Sequence, residues 1–545
     1  MKIIGVQEFG HDTSAVLLED NKIKLAIEEE RIDRIKHSNG FSFGGKAPLN
    51  SLRYCHRESK NLIDKYSFGW NFTSKRIFNL IKRGVINRIK GQGGVLEDLS
   101  LSKLIQGHTI GLWKRKKFFD SFDKLKINFV DHHLAHAASA YRCSCFKNAN
   151  ILVIDGAGEE SATSLYVGKN GDISKLKSFP IINSLGNLYE SITSILGMGM
   201  FGEGKTMGLS SYGKHNSIYS DILEINNEGY LVRWDKVKKL NKYKKKYSKI
   251  TKEHKDIAAT LQARLEKAVL KLVEILYEQT GYKNLCLAGG VSLNSKMNSV
   301  LLNSDFVNNI YIPPAPNDAG VALGAALEVA HENSYKFDKL KHSYLGPEYS
   351  DKEIKNELIR NNIEFEYYKD IEGITAELIN KGYVIGWFQG RMEFGPRALG
   401  NRSILADPTN HKNADKVNDV KHRERWRPLA PSILEEKMRK YFENPYPSPF
   451  MSLTFQVKKE KQKEIPSVTH VDGSARVQTV SRKTNPKFYR LIKEFEKITG
   501  TPVVLNTSFN NKGQPIVMTP KDAIESFKIM NLDYLALNNF LIKKG

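Results

Sequence analysis

The chain of 545 residues is poor in cysteine: Cys55, Cys143, Cys145 and Cys286 are its four thiols, and none of them forms a CxxC pair. Four unpaired thiols are too few to cross-link a chain of this length, which excludes a disulfide framework. The missing CxxC pairs likewise exclude a zinc finger. We therefore expect a reducing compartment and take the cytoplasm as the expected location.

Long apolar runs are also absent. No stretch approaches the roughly 20 apolar residues that a membrane-spanning helix needs. The start, MKIIGVQEFGHDTSAVLLED, has acidic residues and alternation where a secretion signal would have a basic segment followed by an apolar one. We expect neither export nor a membrane partner. Hydrophobic residues make up 40% and charged residues 26%, a globular balance, and the length predicts two or more domains.

Positive charge is in excess, with a formal net charge of +23. Much of it lies in two stretches, SKRIFNLIKRGVINRIKG from Ser74 and RWDKVKKLNKYKKKYSKITKEHK from Arg233. We interpret both as parts of surface insertions, near residues 74–126 and 233–256, whose charges are solvated. An anionic partner for them stays open, and nucleic-acid binding is not indicated.

A repeated sequence pattern, an internal echo, is the strongest sign of domain organisation. IIGVQEFGHDTSAVLLEDNKI from Ile3 and ILVIDGAGEESATSLYVGKNGDI from Ile151 each combine an apolar strand, a turn of glycine and acidic residues, and a second strand. Paired β-hairpins of this kind open the two lobes of actin-like and sugar-kinase-like ATPases. The echo therefore predicts an α/β fold with a two-lobed, actin-like (ASKHA) ATPase-type domain.

Two glycine-containing stretches are candidates for nucleotide contacts. In LCLAGGVSLNSKMNSVLL a glycine pair follows an apolar strand and precedes a helix, which permits close approach of a phosphate. GEGKTMGLSSYG is expected to be a loop against phosphate or substrate, although it lacks the GxxxxGK[ST] spacing of a P-loop. The residues predicted to contact nucleotide are Gly204, Lys205, Gly289, Gly290 and Asn294.

The stretch DHHLAHAASAY, residues 131–141, reads as a helix because it is rich in alanine and lacks glycine and proline. His132 and His136, four residues apart, then share one face, a usual way to offer two imidazoles to a metal. Spacing alone leaves this open, since such pairs also arise by accident. Asp155 after an apolar strand and Asp318 at a helix start add carboxylates. The set suits iron(II), manganese or zinc, and we expect iron(II).

A family resemblance covers nearly the whole chain. In order, GHDTSA, EEERIDRIKH, DHHLAHAASAY, DGAGE, GEGKTMGLSSYG, LAGGVSLNSKMN, NDAGVALGAAL, GRMEFGPRALGNRSILADP, KHRERWRPLAPSI, HVDGSARVQTV and LNTSFNNKGQPIV resemble the NodU/CmcH family of O-carbamoyltransferases, which includes the tobramycin carbamoyltransferase. The resemblance implies an N-terminal domain similar to tRNA threonylcarbamoyl transferases, at 1–340, and a C-terminal YrdC-like α/β domain, at 341–545. A polar segment with a Gly-Pro break places the linker at about 334–350.

The C-terminal motifs carry clustered basic residues in loops punctuated by glycine and proline. Bringing two polyanions together requires fixed cations in a partly dry pocket. Arg402 and Arg423 add to this supply. The contacts to carbamoyl phosphate and to ATP with magnesium that the resemblance implies are Arg397, Lys421, Arg427, Arg476, Asn506 and Ser508.

The family resemblance also implies a two-stage reaction. Carbamoyl phosphate attacks the α-phosphorus of ATP with release of pyrophosphate, and loss of phosphate yields a carbamoyl-adenylate in the C-terminal domain. The carbamoyl group then moves to a hydroxyl at the N-terminal metal site. His11 and Asp12 are expected to orient or deprotonate that hydroxyl, and Lys36 corresponds to a family lysine at the acceptor site. The acceptor, a small molecule or a sugar, is not determined, and the oligomeric state, a homodimer included, stays open.

Alternative functions are weighed on the same residues. A tRNA threonylcarbamoyl-type transferase would use a similar metal site, but the C-terminal motif KHRERWRPLAPSI resembles the small-molecule family. A carbamoyl transferase that matures hydrogenases would need CxxC pairs. A non-catalytic, actin-like nucleotide-binding scaffold would lose no chemistry on replacement of His136.

Overall fold

A computed structural model of the protein describes residues 1–41, 47–71, 114–244 and 249–544. They form two compact units, the first of Met1–Glu29 and His37–Leu340, the second of Glu30–Lys36 and Lys341–Gly545. The C-terminal split lies after Leu340, inside the predicted linker. Glu30–Lys36, which contains the short helix α1 (Glu30–Asp33), departs from the predicted division because it packs with the second unit.

The first unit contains two sheets of the same topology. Their strands are β1 (Lys2–Gln7), β2 (Ser14–Glu19), β3 (Lys22–Glu28), β4 (Lys65–Phe68) and β5 (Ile127–Phe129), and β6 (Asn148–Ile154), β7 (Ser161–Lys169), β8 (Asp172–Pro180), β11 (Asn284–Ala288) and β12 (Asn309–Tyr311), while β9 (Leu223–Asn226) and β10 (Gly229–Val232) form a separate hairpin. The strand orders are β3-β2-β1-β4-β5 and β8-β7-β6-β11-β12. In each sheet the hairpin strands pair antiparallel and the remaining strands pair parallel. This duplication confirms the predicted actin-like fold.

Helices of the first unit carry and cover these sheets. They are α2 (Leu49–Glu58), α3 (His132–Ser144), α4 (Leu185–Ile195), α5 (Glu203–Ser210), α6 (Trp234–Lys239), α7 (Lys252–Thr280), α8 (Ser295–Leu302) and α9 (Ala319–Glu332). Within the described ranges no helix has both the length and the apolar character to cross a membrane.

Close packing of α3 against α9 positions the N-terminal ends of both helices. A Cβ at Gly324 of α9 would lie 1.7 Å from the carbonyl oxygen of Ala135 in α3, and a Cβ at Gly5 of β1 would lie 1.9 Å from the carbonyl oxygen of Ala322. Only glycine allows these approaches. The small-residue sequence of α9 therefore brings its first residues beside the first turn of α3.

The second unit is built on a mixed nine-stranded sheet. Its strands are β13 (Glu366–Tyr367), β14 (Ile385–Phe388), β15 (Arg402–Ala406), β16 (Ala430–Leu434), β17 (Leu453–Gln456), β18 (Ser474–Val480), β19 (Val503–Ser508), β20 (Tyr534–Leu537) and β21 (Phe540–Lys543), in the order β13-β21-β20-β14-β15-β19-β16-β18-β17. Its further helices are α10 (Asp351–Arg360), α11 (Ile371–Asn380), α12 (Lys412–Val420), α13 (Met438–Tyr441), α14 (Lys459–Gln462), α15 (Pro486–Thr499) and α16 (Pro520–Ile529). The buried core around Trp387, Phe488 and Phe495 joins α11 and α15 to the sheet. The predicted α/β class is confirmed, and the likeness to the YrdC fold stays a prediction.

Buried residues anchor the described parts of both predicted insertions, and their interpretation as surface insertions stays a prediction. Trp234, Val237 and Leu240 are buried, and the Trp234 indole donates to the carbonyl of Ile182 over 2.6 Å. The apolar positions of this stretch anchor it to the fold, while Lys238, Lys239 and Lys244 are exposed. In the other predicted insertion, Arg115 is buried against Glu8, with 2.8 Å between Nη2 and Oε1. Residues 74–113 of that prediction lie outside the described residues.

Candidate metal centre and cation cluster

Four predicted metal ligands converge in the first unit. His132 and His136 lie one turn apart at the start of α3, Asp155 follows β6, and Asp318 precedes α9. One ligand atom from each lies within 4.8 Å of every other. His132 Nε2 lies 3.4 Å from Asp155 Oδ2, and the other three imidazole–carboxylate distances are 3.7 Å. The structure thus brings together the whole set that the sequence predicted.

Burial of these four side chains supports cation binding. Both imidazoles are fully buried, and Asp155 and Asp318 are 6% and 4% exposed. Across the described part of the chain, neither ring nitrogen of His136 nor Oδ1 of Asp318 has a hydrogen-bond partner. Buried polar atoms are normally satisfied, because an unpaired one loses its hydration without compensation. Two imidazoles and two carboxylates fit a divalent transition-metal ion.

Neighbouring groups orient the four ligands. His132 Nδ1 lies 3.3 Å from the carbonyl oxygen of Gly69, an arrangement that directs Nε2 to the centre when Nδ1 carries the proton. The ring also stacks on Trp70, with 4.1 Å between centroids. Asp155 Oδ1 accepts the backbone N–H of Gly290 over 2.8 Å, which leaves Oδ2 for the centre. The side chain of Asp318 makes no capping hydrogen bond to the start of α9.

Electrostatics couple the imidazoles to the carboxylates. Burial alone would lower the pKa of His136, but Asp155 and Asp318 outweigh it and raise the pKa to about 9. Burial would raise the pKa of Asp155, yet the two imidazoles hold it well below its usual range. Without a bound cation, the His136 imidazole therefore retains a proton near neutral pH.

His133, the third histidine of the stretch, faces away from this centre. Its Nδ1 lies 2.8 Å from Ser164 Oγ, and burial lowers its pKa well below the usual value. This confirms the prediction that the helix separates it from His132 and His136.

His11 and Asp12 form a hydrogen-bonded pair in the turn after β1. His11 Nδ1 lies 2.9 Å from Asp12 Oδ2, and the His11 side chain is 42% exposed. Burial acts to lower the pKa of His11, but Asp318 and Asp12 raise it to about 10. The structure thus places these two predicted catalytic residues together, in electrostatic contact with Asp318.

Three further residues complete the pair, and sequence reasoning missed them. His37 Nδ1 lies 2.7 Å from Asp12 Oδ1, and Asn317 Nδ2 donates to Asp12 Oδ2 over 2.8 Å. Phe201, at φ 57°, stacks on His37 with 3.9 Å between centroids and meets His11 edge-on. A bulky residue at positive φ is strained and is often found at functional sites. Only the position of Asn317 beside Asp318 could have pointed to it.

The stretch GEGKTMGLSSYG is not a loop, contrary to its prediction. Gly204 and Lys205 lie in the first turn of helix α5, and Lys205 Nζ donates to the carbonyl of Met198. Thr206, hydrogen-bonded to Thr193 of α4 over 2.9 Å, shows the packing that overrides the glycine content. Their contact with nucleotide stays a prediction.

The glycine pair after β11 packs against β6, next to the predicted ligand Asp155. A Cβ at Gly289, which has φ 88°, would lie 2.2 Å from the carbonyl oxygen of Ile154, so this turn packs against β6. Asn294 caps α8 through the N–H of Met297 and bonds to Gln262. These observed roles are structural, and a nucleotide contact for Gly289, Gly290 and Asn294 stays a prediction.

In the second unit five basic side chains lie close enough together for repulsion between their positive charges to affect their pKa values. We call Arg397, Lys421, Arg423, Arg427 and Arg476 the cation cluster. Burial, followed by repulsion from its neighbours in the cluster, lowers the pKa of Lys421 and of Arg476 well below the usual values. Burial lowers the pKa of Arg397 to about 10. Unlike-charged partners are scarce here, as expected of a site for polyanions.

Polar groups of β19 and its loop complete the cluster. Lys421 Nζ donates to the carbonyl and hydroxyl of Ser508 and to Asn510 Oδ1. Asn506 Nδ2 donates to Ser432 Oγ and Gln478 Oε1, at 2.9 and 3.0 Å. Its Oδ1 and the Nε of Arg476 find no hydrogen-bond partner in the described structure. The six residues predicted here therefore belong to one unit.

Arg402 has a structural role, although its motif suggested an anion contact. Its guanidinium donates to the carbonyl oxygens of Gln389, Gly390 and Asn401 and lies 3.6 Å from the ring centroid of Phe388. The side chain is fully buried, so its donors serve the backbone.

Lys36 belongs to the second unit, and its role at the acceptor site stays a prediction. Arg31 donates to the carbonyl of Gly395, and Arg34 donates to the carbonyls of Pro515 and Ile516. These bonds hold Glu30–Lys36 on the second unit. The charge of Lys36 contributes to the lowered pKa of Lys421. Lys36 thus lies near enough to the cation cluster for its charge to act on Lys421.

Comparison with known proteins finds two family models that match most of the chain. One is described as the carbamoyltransferase N-terminus and matches residues 2–327, and the other as the carbamoyltransferase C-terminus and matches residues 376–544. Nodulation protein NolNO of Sinorhizobium fredii is 40% identical over 554 residues, covering 98% of this chain and 79% of that protein. Nodulation protein U of Bradyrhizobium diazoefficiens is 28% identical over 557 residues, covering 94% and 93%.

Solved structures with similarity to this chain include full-length HypF in the phosphate- and nucleotide-bound form, with a TM-score of 0.38 and 13% identity, covering 61% of this chain and 46% of that one. Another is the activator of the 2-hydroxyisocaproyl-CoA dehydratase from Clostridium difficile with bound ADPNP, with a TM-score of 0.34 and 15% identity, covering 61% and 97%.

Proposed function

The chain belongs to the carbamoyltransferase family, and from this premise we propose that it is an ATP-dependent O-carbamoyltransferase that acts through a carbamoyl-adenylate. The acceptor is a hydroxyl of a small molecule or a sugar. Two half-reactions follow, and each unit supplies the side chains for one of them.

Activation of the carbamoyl group takes place at the cation cluster. Carbamoyl phosphate, MgATP and one water give carbamoyl-adenylate, pyrophosphate and phosphate. A carbamoyl oxygen bonds to the α-phosphorus of ATP while the bond to the β-phosphate breaks. Water takes up the phosphoryl group of carbamoyl phosphate as the P–O bond to the carbamoyl group breaks. Two polyanions repel each other, and Lys421, Arg427 and Arg476 offset that repulsion from fixed positions. After burial, repulsion from Arg427 and other basic neighbours also lowers the pKa of Lys421 and of Arg476, and bound phosphates would relieve this repulsion.

Transfer takes place at the metal centre, and its four converging buried ligands are the observation that carries the proposal. His132, His136, Asp155 and Asp318 would hold a divalent ion, iron(II) by expectation, with manganese or zinc as alternatives. Such an ion, when bound, supplies Lewis-acid polarisation of the carbamoyl carbonyl. The residues around it orient these ligands and exclude water.

His11 and Asp12 handle the acceptor hydroxyl. Asp12 receives hydrogen bonds from three side chains and is therefore a poor base, because those donors stabilise its ionised form. Its role is to orient His11. Because Asp318 and Asp12 raise the pKa of His11 to about 10, its exposed ring is protonated near neutral pH and orients the acceptor oxygen as a hydrogen-bond donor. The alcohol oxygen bonds to the carbamoyl carbon as AMP leaves, and the hydroxyl proton passes to solvent. The products are the carbamate ester, AMP and a proton.

Pyrophosphate release tests the proposal. The purified full chain with MgATP and carbamoyl phosphate should release pyrophosphate, and replacing carbamoyl phosphate with bicarbonate plus threonine should abolish the release. The reverse pattern would indicate a threonylcarbamoyl-type enzyme and would contradict the proposal, as would no release with either. A mass gain of one carbamoyl group across a set of aminoglycosides, polyketides, alkaloids and oligosaccharides then identifies the acceptor.

A further inference from the structure

The side-chain amide of Asn317 has a hydrogen-bond partner at its nitrogen and, among the described residues, none at its oxygen. Its Nδ2 donates to Asp12 Oδ2 over 2.8 Å. Because an ionised carboxylate offers acceptors alone, the amide must present its NH2 to Asp12, and this fixes the direction of Oδ1. The residue is 6% exposed, and Oδ1 has no hydrogen-bond partner within the described residues. The fold therefore buries an oriented acceptor without a donor.

The vacant acceptor belongs to a residue that links two parts of the transfer site. Asn317 directly precedes the metal ligand Asp318 in the chain, and its side chain holds Asp12, the partner of His11. Since no donor reaches Oδ1 from the described residues, a molecule bound at this site or a trapped water can supply one. Burying an unpaired acceptor is costly, which favours a ligand group that pairs with it.

The chemistry of the donor follows from the transferred group. A carbamoyl group carries an NH2 with two donors, whereas an acetyl group has a methyl at that position and a carboxyl group has an oxygen. We propose that Asn317 Oδ1 accepts a hydrogen bond from the carbamoyl NH2 and so selects carbamoyl over acyl groups without N–H. The inference rests on the proposed function and assigns a specificity-determining residue to it. A site that hydrogen-bonds a substrate NH rejects analogues that lack it.

Two matched probes test this selection. Adenosine 5′-(carbamoylmethyl)phosphonate has CH2 in place of the bridging oxygen of carbamoyl-adenylate, and its acetonyl counterpart has CH3 in place of the NH2. Binding is measured by calorimetry on full chains that carry Arg476→Ala, so that the cation cluster contributes little. In this background the NH2 probe should bind about 10-fold more tightly than the CH3 probe.

Substitutions at Asn317 should remove that preference. Asn317→Ala and Asn317→Ser both lack the amide oxygen, and the ratio of the two dissociation constants should fall to about 2 or less; if one variant fails a thermal-unfolding check, the other carries the test. Asn298→Ala is the matched control, because Asn298 is a fully buried asparagine whose Nδ2 donates to the carbonyl of Ser292.

The outcomes separate this inference from the function on which it rests. A merely structural role for Asn317, or a trapped water on Oδ1, would leave the ratio unchanged in Asn317→Ala and would overturn the inference. Equal binding of both probes by the Arg476→Ala chain would overturn it as well. If a folded Arg476→Ala chain bound neither probe, the proposed transfer from an adenylate in the first unit would itself be contradicted.

Discussion

Individual residues of the metal centre were predictable because each follows a local rule. Four-residue spacing in a helix puts His132 and His136 on one face, and an aspartate after a buried strand lies at the sheet edge. His37 and Asn317 obey no such rule. Their contacts with Asp12 depend on positive φ at Asp12 and His37, 52° and 57°, and on packing between distant segments. Sequence spacing carries no information about these φ angles or about packing between distant segments.

Replacing His136 should remove cation binding. His136→Ala deletes one of four ligands and should weaken iron(II) or zinc affinity by at least about 100-fold, since even outer partners of metal ligands are worth 10–100-fold. The measurement is metal content after dialysis against a competing chelator. His133→Asn is the matched control on the same turn, because His133 bonds to Ser164 and faces away. Equal metal content in the two variants would contradict the assignment.

Cation affinity should depend on pH through His136. Asp155 and Asp318 raise its pKa to about 9 against the effect of burial, so below pH 9 a binding cation must displace a proton. The apparent affinity should rise about tenfold per pH unit up to about pH 9 and then level off. The same raised pKa stabilises the metal-free fold at low pH, and this contribution is lost as pH rises from about 6.5 through 9. Calorimetry in buffers of different ionisation enthalpy measures the released proton; a pH-independent affinity would exclude this protonation.

Elements show where local sequence misleads. The glycines of GEGKTMGLSSYG favoured a loop, yet α5 forms because Thr206 and Leu209 are buried by tertiary packing. The paired hairpins were predicted correctly, since alternation and turns are local. The cation cluster was predicted as a set, but the repulsion within it was not. After burial, the charges of Arg397, Arg423 and Arg427 lower the pKa of Arg476, which lies on β18.

Removing one cation of the cluster should stabilise the empty protein and impair activation. Arg476→Gln relieves repulsion by three arginines, and the melting temperature without ligand should rise by about 2 °C. Pyrophosphate release should fall by at least about 100-fold. Arg425→Gln removes an exposed arginine paired with Asp419 and should change neither quantity appreciably. If Arg476→Gln lowered the melting temperature and left pyrophosphate release normal, Arg476 would have a structural role and this prediction would be contradicted.

The segment Glu30–Lys36 yields a separate prediction. Because Lys36 packs with the second unit and its charge acts on Lys421, Lys36→Ala should slow pyrophosphate release by about tenfold. Lys22→Ala, an exposed lysine at the start of β3, serves as the control and should leave the rate unchanged. Normal pyrophosphate release combined with lost carbamoyl transfer in Lys36→Ala would return Lys36 to the acceptor site.

At the scale of the whole molecule, the cation cluster and the four converging imidazole and carboxylate side chains lie in different units, a division that the motif order indicated in advance. Sequence could not show that Glu30–Lys36 leaves the first unit and joins the second, because that exchange is a property of long-range packing. Nor does it identify the acceptor, since carbamoyl transfer requires a hydroxyl but fixes little else about the molecule that carries it. The convergence of His132, His136, Asp155 and Asp318 was predictable from the sequence, and the acceptor was not.

X-ray diffraction from iron(II)-loaded crystals, with data collected on both sides of the iron absorption edge, tests the central claim most directly. The account predicts one strong anomalous peak per chain, within coordination distance of His132, His136, Asp155 and Asp318. A peak elsewhere, or none at this position in crystals shown to contain iron, would contradict it.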